Sequence, residues 1–194
     1  MAPEDLTTRK KILDAAVRLI FSVTSEELTT RRIAEEAGVN IAAINYHFRS
    51  KDELIDQAVE VATAEAFEKG MAYLFAPGRE PKARLLDFIT GYAYGLMKFP
   101  GLTRTAFLTL MRNEKGSTFY GRYMKEMLDK VGQVVAEAGG AAGRNEGDVA
   151  LMVLSCAILP FLVANTVKDA GGIDYADDAA RARYIETMLN RLVR

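Results

Sequence analysis

An all-α fold is what this sequence of 194 residues predicts, and three observations carry that reading. Apolar residues recur every three or four positions almost throughout, no stretch alternates with a period of two, and Gly, Pro, Asn and Ser punctuate the periodic runs. The expected architecture is a small N-terminal unit of three helices over residues 1–50, joined through a long helix to a larger C-terminal helical bundle over residues 51–194. Hydrophobic residues make up 49% of the chain and charged residues 26%, the balance of an ordinary globular protein with enough length to bury a real core.

Taken in order, residues 5–22 place Leu6, Ile12, Leu13, Ala16, Val17 and Ile20 on one face and Arg9, Lys10, Lys11 and Arg18 elsewhere, the pattern of an amphipathic helix. Thr29 is an N-cap candidate for a short helix over Thr30–Ala37, because its hydroxyl can accept an otherwise orphaned backbone N–H. Gly38 ends that helix by tolerating a positive φ, and Asn40 is placed to cap a third helix over residues 40–47. Ser50 caps a fourth that starts at Lys51 and runs to about Phe75. The loop Pro77-Gly78-Arg79-Glu80-Pro81 interrupts the pattern most sharply. Further helices are expected at 82–98, 101–113, 117–138, 146–169 and 175–193.

The informative stretch is Leu28–Leu54, LTTRRIAEEAGVNIAAINYHFRSKDEL. Read physically, it is a helix, a tight glycine turn and a short helix. Ile33, Ala34 and Ala37 are expected to pack inward from the first helix, and Val39 and Ile44 from the turn and the second. The small alanines allow a close, steep approach, which makes the stretch a helix-turn-helix whose second helix can enter a major groove. The outward residues are then Thr30, Arg31, Ile41, Ala42, Ala43, Asn45, Tyr46 and His47. Arg31 can donate twice to guanine, Asn45 can read adenine, and Ile41 or Ala43 can meet a thymine methyl. Thr30, Tyr46 and the region of Lys51 suit phosphate oxygens. Residues 1–51 carry a net charge of +1 against −2 for the remainder, so any positive field is local to Arg31, Arg49 and Lys51. Glu35 and Glu36 are expected to lie away from the groove.

This block resembles the TetR family of bacterial transcriptional regulators. The likeness rests on the Thr-Thr-Arg-Arg-Ile-Ala opening, the Ala-Gly-Val-Asn turn and the Tyr46-His47-Phe48, Ser50-Lys51 and Leu54 close, and with the first helix it covers about residues 6–55. The sequence departs from the family pattern at Asn45, where an aromatic residue is usual, and at Ser22-Val23-Thr24-Ser25, which lacks the usual Gly. The resemblance implies a DNA-binding domain at 1–50 and a ligand-binding and dimerisation domain at 51–194. It also implies a palindromic double-stranded DNA operator, a small-molecule effector, a homodimer and signal transmission through the fourth helix, with repression as the usual outcome.

Helices between about 82 and 127 are rich in aromatics and methionines, a mixture that suits either plain core or an adaptable apolar pocket. Phe67, Met71, Phe88, Tyr92, Met97, Phe107, Met111, Tyr123 and Met127 are the candidate ligand contacts, and an apolar or aromatic molecule is the candidate ligand. Residues 149–167 run nineteen positions without a charge. Pro160 and the polar Ser155, Asn165 and Thr166 argue against a membrane span. A helix buried between two copies explains the run better, with Leu151, Leu154, Ile158, Leu159, Leu162, Ile185 and Leu189 as interface candidates. One His and one Cys exclude a zinc set or a disulfide framework within one chain, no cofactor is expected, and the free thiol and acidic start fit a cytoplasmic protein. An all-helical enzyme finds no nucleophile–base pair or phosphate loop in its support. A regulator whose bundle binds a protein in place of a small molecule remains the open alternative.

Overall fold

Short polar side chains start most of the helices, and a computed structural model shows them capping as their chemistry requires. It describes residues 3–23, 26–112, 118–139 and 145–193. These form α1 (Pro3–Ser22), α2 (Thr30–Ala37), α3 (Ile41–His47), α4 (Lys51–Leu74), α5 (Pro81–Lys98), α6 (Pro100–Arg112), α7 (Phe119–Glu137), α8 (Glu146–Leu162), α9 (Ala164–Asp169) and α10 (Asp178–Leu192). Thr29 Oγ1 accepts from Arg32 N at 3.2 Å, Asn40 Oδ1 from Ala42 N at 2.9 Å and Ser50 Oγ from Glu53 N at 3.1 Å. Farther on, Asn145 Oδ1 accepts from Gly147 N at 2.7 Å and Asp177 Oδ1 from Ala180 N at 2.6 Å. Each such bond satisfies a donor that the helix itself cannot.

The helix order agrees with the sequence reading, with two differences at the C-terminal end. The single helix expected over 146–169 is α8 and α9, separated at Val163, where φ −118° and ψ 25° leave the helical region. Pro160 lies inside α8 and has no N–H for the ladder, which weakens the last turn and lets the chain break three residues on. The last helix begins at Asp178 rather than 175, because Asp177 caps it and Tyr175 is turned into the core. Asn113 and Ser117, expected as helix ends, lie outside the described residues. Among the described residues no helix is long and apolar enough to cross a membrane.

The chain forms two compact units, and their composition differs from a division at residue 50. One comprises residues 1–65 and 99–123, the other residues 66–98 and 124–194, so α4 and α7 each contribute to both. In the first unit Ile12, Ala15, Ala16, Leu19 and Ile20 of α1 are buried with Ile33 and Ala34 of α2, Ile44 of α3, Phe48, and Leu54, Ile55, Ala58 and Val59 of α4. Leu102 and Ala106 of α6 are buried in the same unit. The start of α6 approaches α1 closely: a Cβ on Gly101 would lie 2.6 Å from the Ile20 carbonyl oxygen and 3.3 Å from that of Val23.

In the second unit α5, α8 and α10 pack on one another. Leu85, Ile89 and Ala93 of α5, Val149, Val153, Leu154 and Ala157 of α8, and Ile185 and Leu189 of α10 are buried there. Two buried arginines tie helix ends together. Arg84 donates to the Leu74 carbonyl at 3.2 Å and pairs with Glu137 of α7. Arg181 donates to the Tyr175 carbonyl at 2.8 Å and pairs with Asp178, while the Tyr175 hydroxyl donates to the Ala157 carbonyl at 2.8 Å. Burial pushes the Tyr175 phenol up, so it stays a neutral donor.

The close approach at Gly101 makes a prediction. Gly101→Ala drives a methyl group into the α1 backbone and is expected to lower stability by about 1–3 kcal/mol. Gly95→Ala meets nothing within 4 Å and is expected to raise stability by about 0.5–1 kcal/mol through helix propensity. Urea midpoints of the two variants against the parent check both signs.

Candidate nucleic-acid interface

The glycine turn fixes how α3 is presented. Gly38 takes φ 67° and ψ 36°, its N–H donates to Glu35 O at 3.2 Å, and Val39 N donates to Ala34 O at 3.0 Å. A side chain at Gly38 would be strained in this left-handed backbone. Asn40 then caps α3 at once, so only three residues separate α2 and α3. Ile44 and Phe48 are buried on the inner side of α3. Arg31, Ile41, Ala42, Asn45 and Tyr46 are exposed, and Thr30, Ala43, His47 and Lys51 are half-buried. The Tyr46 side chain is 75% exposed and meets the His47 ring edge-on, with centroids 5.0 Å apart.

The acidic residues of α2 divide in a way the sequence reading missed. Glu36 accepts from Arg18 Nε of α1 at 2.9 Å and ties the two helices together. Glu35 pairs with a residue of the expected reading surface. Four residues along the same face of α2, it accepts from Arg31 Nε at 3.0 Å.

Arg9 was also missed as anything but an outward charge on α1. Its guanidinium carbon stands 4.9 Å from the centre of the Phe48 ring, and its Nη2 donates to Gln57 Oε1 of α4 at 2.6 Å. Gln57 donates in turn to Glu53 at 3.2 Å. Arg9 therefore binds the end of α3 and the start of α4 to α1. The available signal was its position three residues before Ile12, at the margin of the buried face. Asp56 is a second residue without a sequence signal. Both its carboxylate oxygens accept from Phe119 N, at 2.9 and 3.1 Å, while its neighbour one turn back, Asp52, pairs with Arg112 at 3.4 Å. The first turn of α7 and the end of α6 are thus fastened to α4 within the first unit.

The candidate ligand contacts fall into both units. In the first, Phe107 is half-buried and edge-on to Tyr120 at 5.6 Å, and Tyr123 stacks on Tyr120 at 5.2 Å. Burial raises the Tyr123 phenol well above its usual range. Met111, expected beside Phe107 in a pocket, is 69% exposed. In the second unit Phe88 and Met127 are buried, and Phe67, Met71, Tyr92 and Met97 are half-buried. Phe88 stacks on Tyr92 at 6.2 Å and its ring lies 3.1 Å from where a Cβ on Gly70 would stand. Of the interface candidates, Leu151, Leu159 and Leu162 are exposed and Ile158 is half-buried. Leu154, Ile185 and Leu189 are closed inside the unit and offer a second copy no surface, because α5 and α10 already cover that side of α8.

A three-residue turn joining a supporting helix to a short exposed helix, with polar and cationic groups outward, defines a helix-turn-helix of the DNA-reading class. Residues 12–58 match the family model for bacterial regulatory proteins of the tetR family. The tetracycline repressor protein class A of transposon 1721 from Escherichia coli is 41% identical over 54 residues, 28% of this chain and 25% of that one. The matched stretch thus spans about a quarter of that relative's length. Over nearly the whole chain the fold is similar to SmeT of Stenotrophomonas maltophilia, described as the repressor of the SmeDEF multidrug efflux pump. There the TM-score is 0.68 and the identity 20%, covering 96% of this chain and 90% of that one. It is also similar to the transcriptional regulator FadR from Bacillus subtilis in complex with stearoyl-CoA, with a TM-score of 0.67 and 17% identity over 94% and 98% of the two chains. Residues 12–58 are thus of the N-terminal TetR type, and the remainder of the chain shares the fold of these regulators.

The Arg9 joint is testable. Arg9→Met removes both the ring contact and the bond to Gln57, and is expected to lower stability by about 1–3 kcal/mol. Arg9→Lys keeps the charge without the planar fork and is expected to fall between the two in thermal or urea unfolding.

Proposed function

We propose that this chain is a cytoplasmic, ligand-responsive transcriptional regulator that works by binding rather than by bond-making. It acts as a homodimeric repressor on a palindromic operator and is released by a small apolar or aromatic molecule. The observation that carries the DNA-binding reading is the exposed face of α3, held out by the Gly38 turn with Arg31 beside it. Ile41, Ala42, Ala43 and Asn45 are the base-contacting set, Arg31 takes a guanine, and Thr30, Tyr46, His47 and Lys51 hold phosphates. A twofold dimer would repeat the reading helix at about 34–36 Å, one helical turn of DNA.

The dimer reading rests on α8. Leu151, Leu159 and Leu162 leave an apolar strip open on one chain, an exposure that a second copy would remove from water. The ligand reading rests on the aromatic and methionine content of both units and on relatives described as repressors, among them the multidrug-pump repressor. An effector would shift the chain from its DNA-competent form only by its difference in affinity for the two forms, and DNA would weaken the effector by the same factor.

Two measurements test the reading. Duplexes selected from the source genome by the purified protein supply the operator. On that operator Arg31→Ala is expected to relax discrimination at one base per half-site and to cost about 1–3 kcal/mol per site. Lys51→Ala is expected to weaken all sequences alike and to make the salt dependence shallower. Parental affinities for both variants across a salt series would remove this surface from the DNA interface. Leu159→Asp is expected to give a folded monomer by sedimentation, since Leu159 is 59% exposed on one chain and a dimer through α8 would bury it. An unaltered dimer would move the interface off α8.

A further inference from the structure

We propose that Glu35 is a specificity-determining positioning residue that holds Arg31 for guanine and away from phosphate. The inference rests on the DNA-reading role of α3 and Arg31 proposed above. Glu35 is a charge in an unfavourable place: it stands on the helix that carries Arg31, beside a polyanion once DNA is bound. Its companion Glu36 has a structural task, closing α1 onto α2 through Arg18 at 2.9 Å. Among the described residues the Glu35 carboxylate pairs with Arg31, whose Nε donates to Glu35 Oε1 at 3.0 Å across one helical turn.

The atoms used matter. That bond engages the inner nitrogen of the guanidinium and leaves both terminal nitrogens for a base, and a terminal pair is the fork that fits guanine O6 and N7. Both side chains are largely exposed, so the ion pair adds little to the stability of the fold. Its effect is on the long Arg31 side chain, whose rotamer freedom is restricted before DNA arrives. The carboxylate also cancels the charge that a free Arg31 would offer to any phosphate. Both effects act in one direction: non-specific attraction falls and the guanine contact becomes cheaper to form. Specificity is a difference between two affinities, and Glu35 moves both terms of it.

The test compares the full-length parent with Glu35→Gln and Arg31→Lys. All three select in parallel from one library of randomised duplexes, and each is then titrated by fluorescence anisotropy on the parental winner, on guanine-substituted copies and on a scrambled duplex. Glu35→Gln keeps the shape and removes the charge. It is expected to lower discrimination at one guanine per half-site about fivefold and to tighten binding to the scrambled duplex. Its salt slope should steepen by about one per half-site as Arg31 turns to a phosphate. Arg31→Lys is expected to lose discrimination at the same base with Glu35 in place. Unchanged discrimination by Glu35→Gln at the base that Arg31→Lys affects overturns the role of Glu35. So does uniform weakening on every duplex, since a merely structural residue acts that way. Failure of the parent itself to enrich any sequence would instead overturn the DNA-reading function.

Discussion

Seven residues are too few for a helix to persist in water, and α3 has seven. Its existence depends on burying Ile44 and Phe48 as α3 packs on α1 and α2, and every device around it serves that burial. Gly38 turns the chain in a conformation closed to most side chains, Asn40 supplies the bond that the first turn lacks, and Ser50 does the same for the helix that follows. Arg9 completes the enclosure with its guanidinium over Phe48 and one of its terminal nitrogens on Gln57. The outcome is a short helix with one face locked and the other bare. Such a surface can be pressed into a groove without first being ordered, and order in advance is what makes recognition inexpensive.

The second unit is stabilised differently. α8 is apolar around most of its circumference, and α5 and α10 cover one side of it. The polar groups that enter this core are tethers with assigned partners: Arg84 for the end of α4 and for α7, Arg181 and Tyr175 for the loop between α9 and α10. Arg84 Nε is nevertheless buried with no hydrogen-bond partner among the described residues, a cost of about 1–3 kcal/mol that a tighter design would avoid. Tyr175 and Arg181 explain why a loop of small and acidic residues can lie against an apolar helix. The Tyr175 hydroxyl and Arg181 Nη1 are each matched to a backbone carbonyl, and Asp178 balances the Arg181 charge.

The charge arrangement of the first unit also separates two tasks that composition alone merges. A net charge of +1 over residues 1–51 is a small attraction for a polyanion. Much of the charge there is spent within the unit, in Arg18 with Glu36, Arg32 with Glu27 and Arg31 with Glu35. Cations paired in this way offer less charge to any polyanion than their number suggests. Asp52 and Asp56 are spent in the same way, on Arg112 and on the first N–H of α7, and so connect the base of α4 to elements beyond the helix-turn-helix.

The sequence by itself determined the elements that local chemistry controls. Thr29, Gly38, Asn40 and Ser50 mark α2, α3 and α4 because a cap or a left-handed glycine is a property of a few consecutive residues. The inward set Ile33, Ala34 and Ile44, the outward set Arg31, Ile41 and Asn45, and a family likeness over about residues 6–55 were legible for the same reason, and the family model matches 12–58. What only the tertiary structure decided depends on residues far apart in the chain. No periodicity distinguishes Leu154, Ile185 and Leu189, which the mutual packing of α5, α8 and α10 encloses, from Leu159 and Leu162, which stay open, because all lie on apolar stretches. Nor does any local pattern show that Arg9 reaches Gln57, that Asp56 caps α7, or that residues 99–123 join the N-terminal unit. Those pairings arise from how helices cross. Crossing is settled by the fit of whole faces, which no run of neighbouring residues encodes.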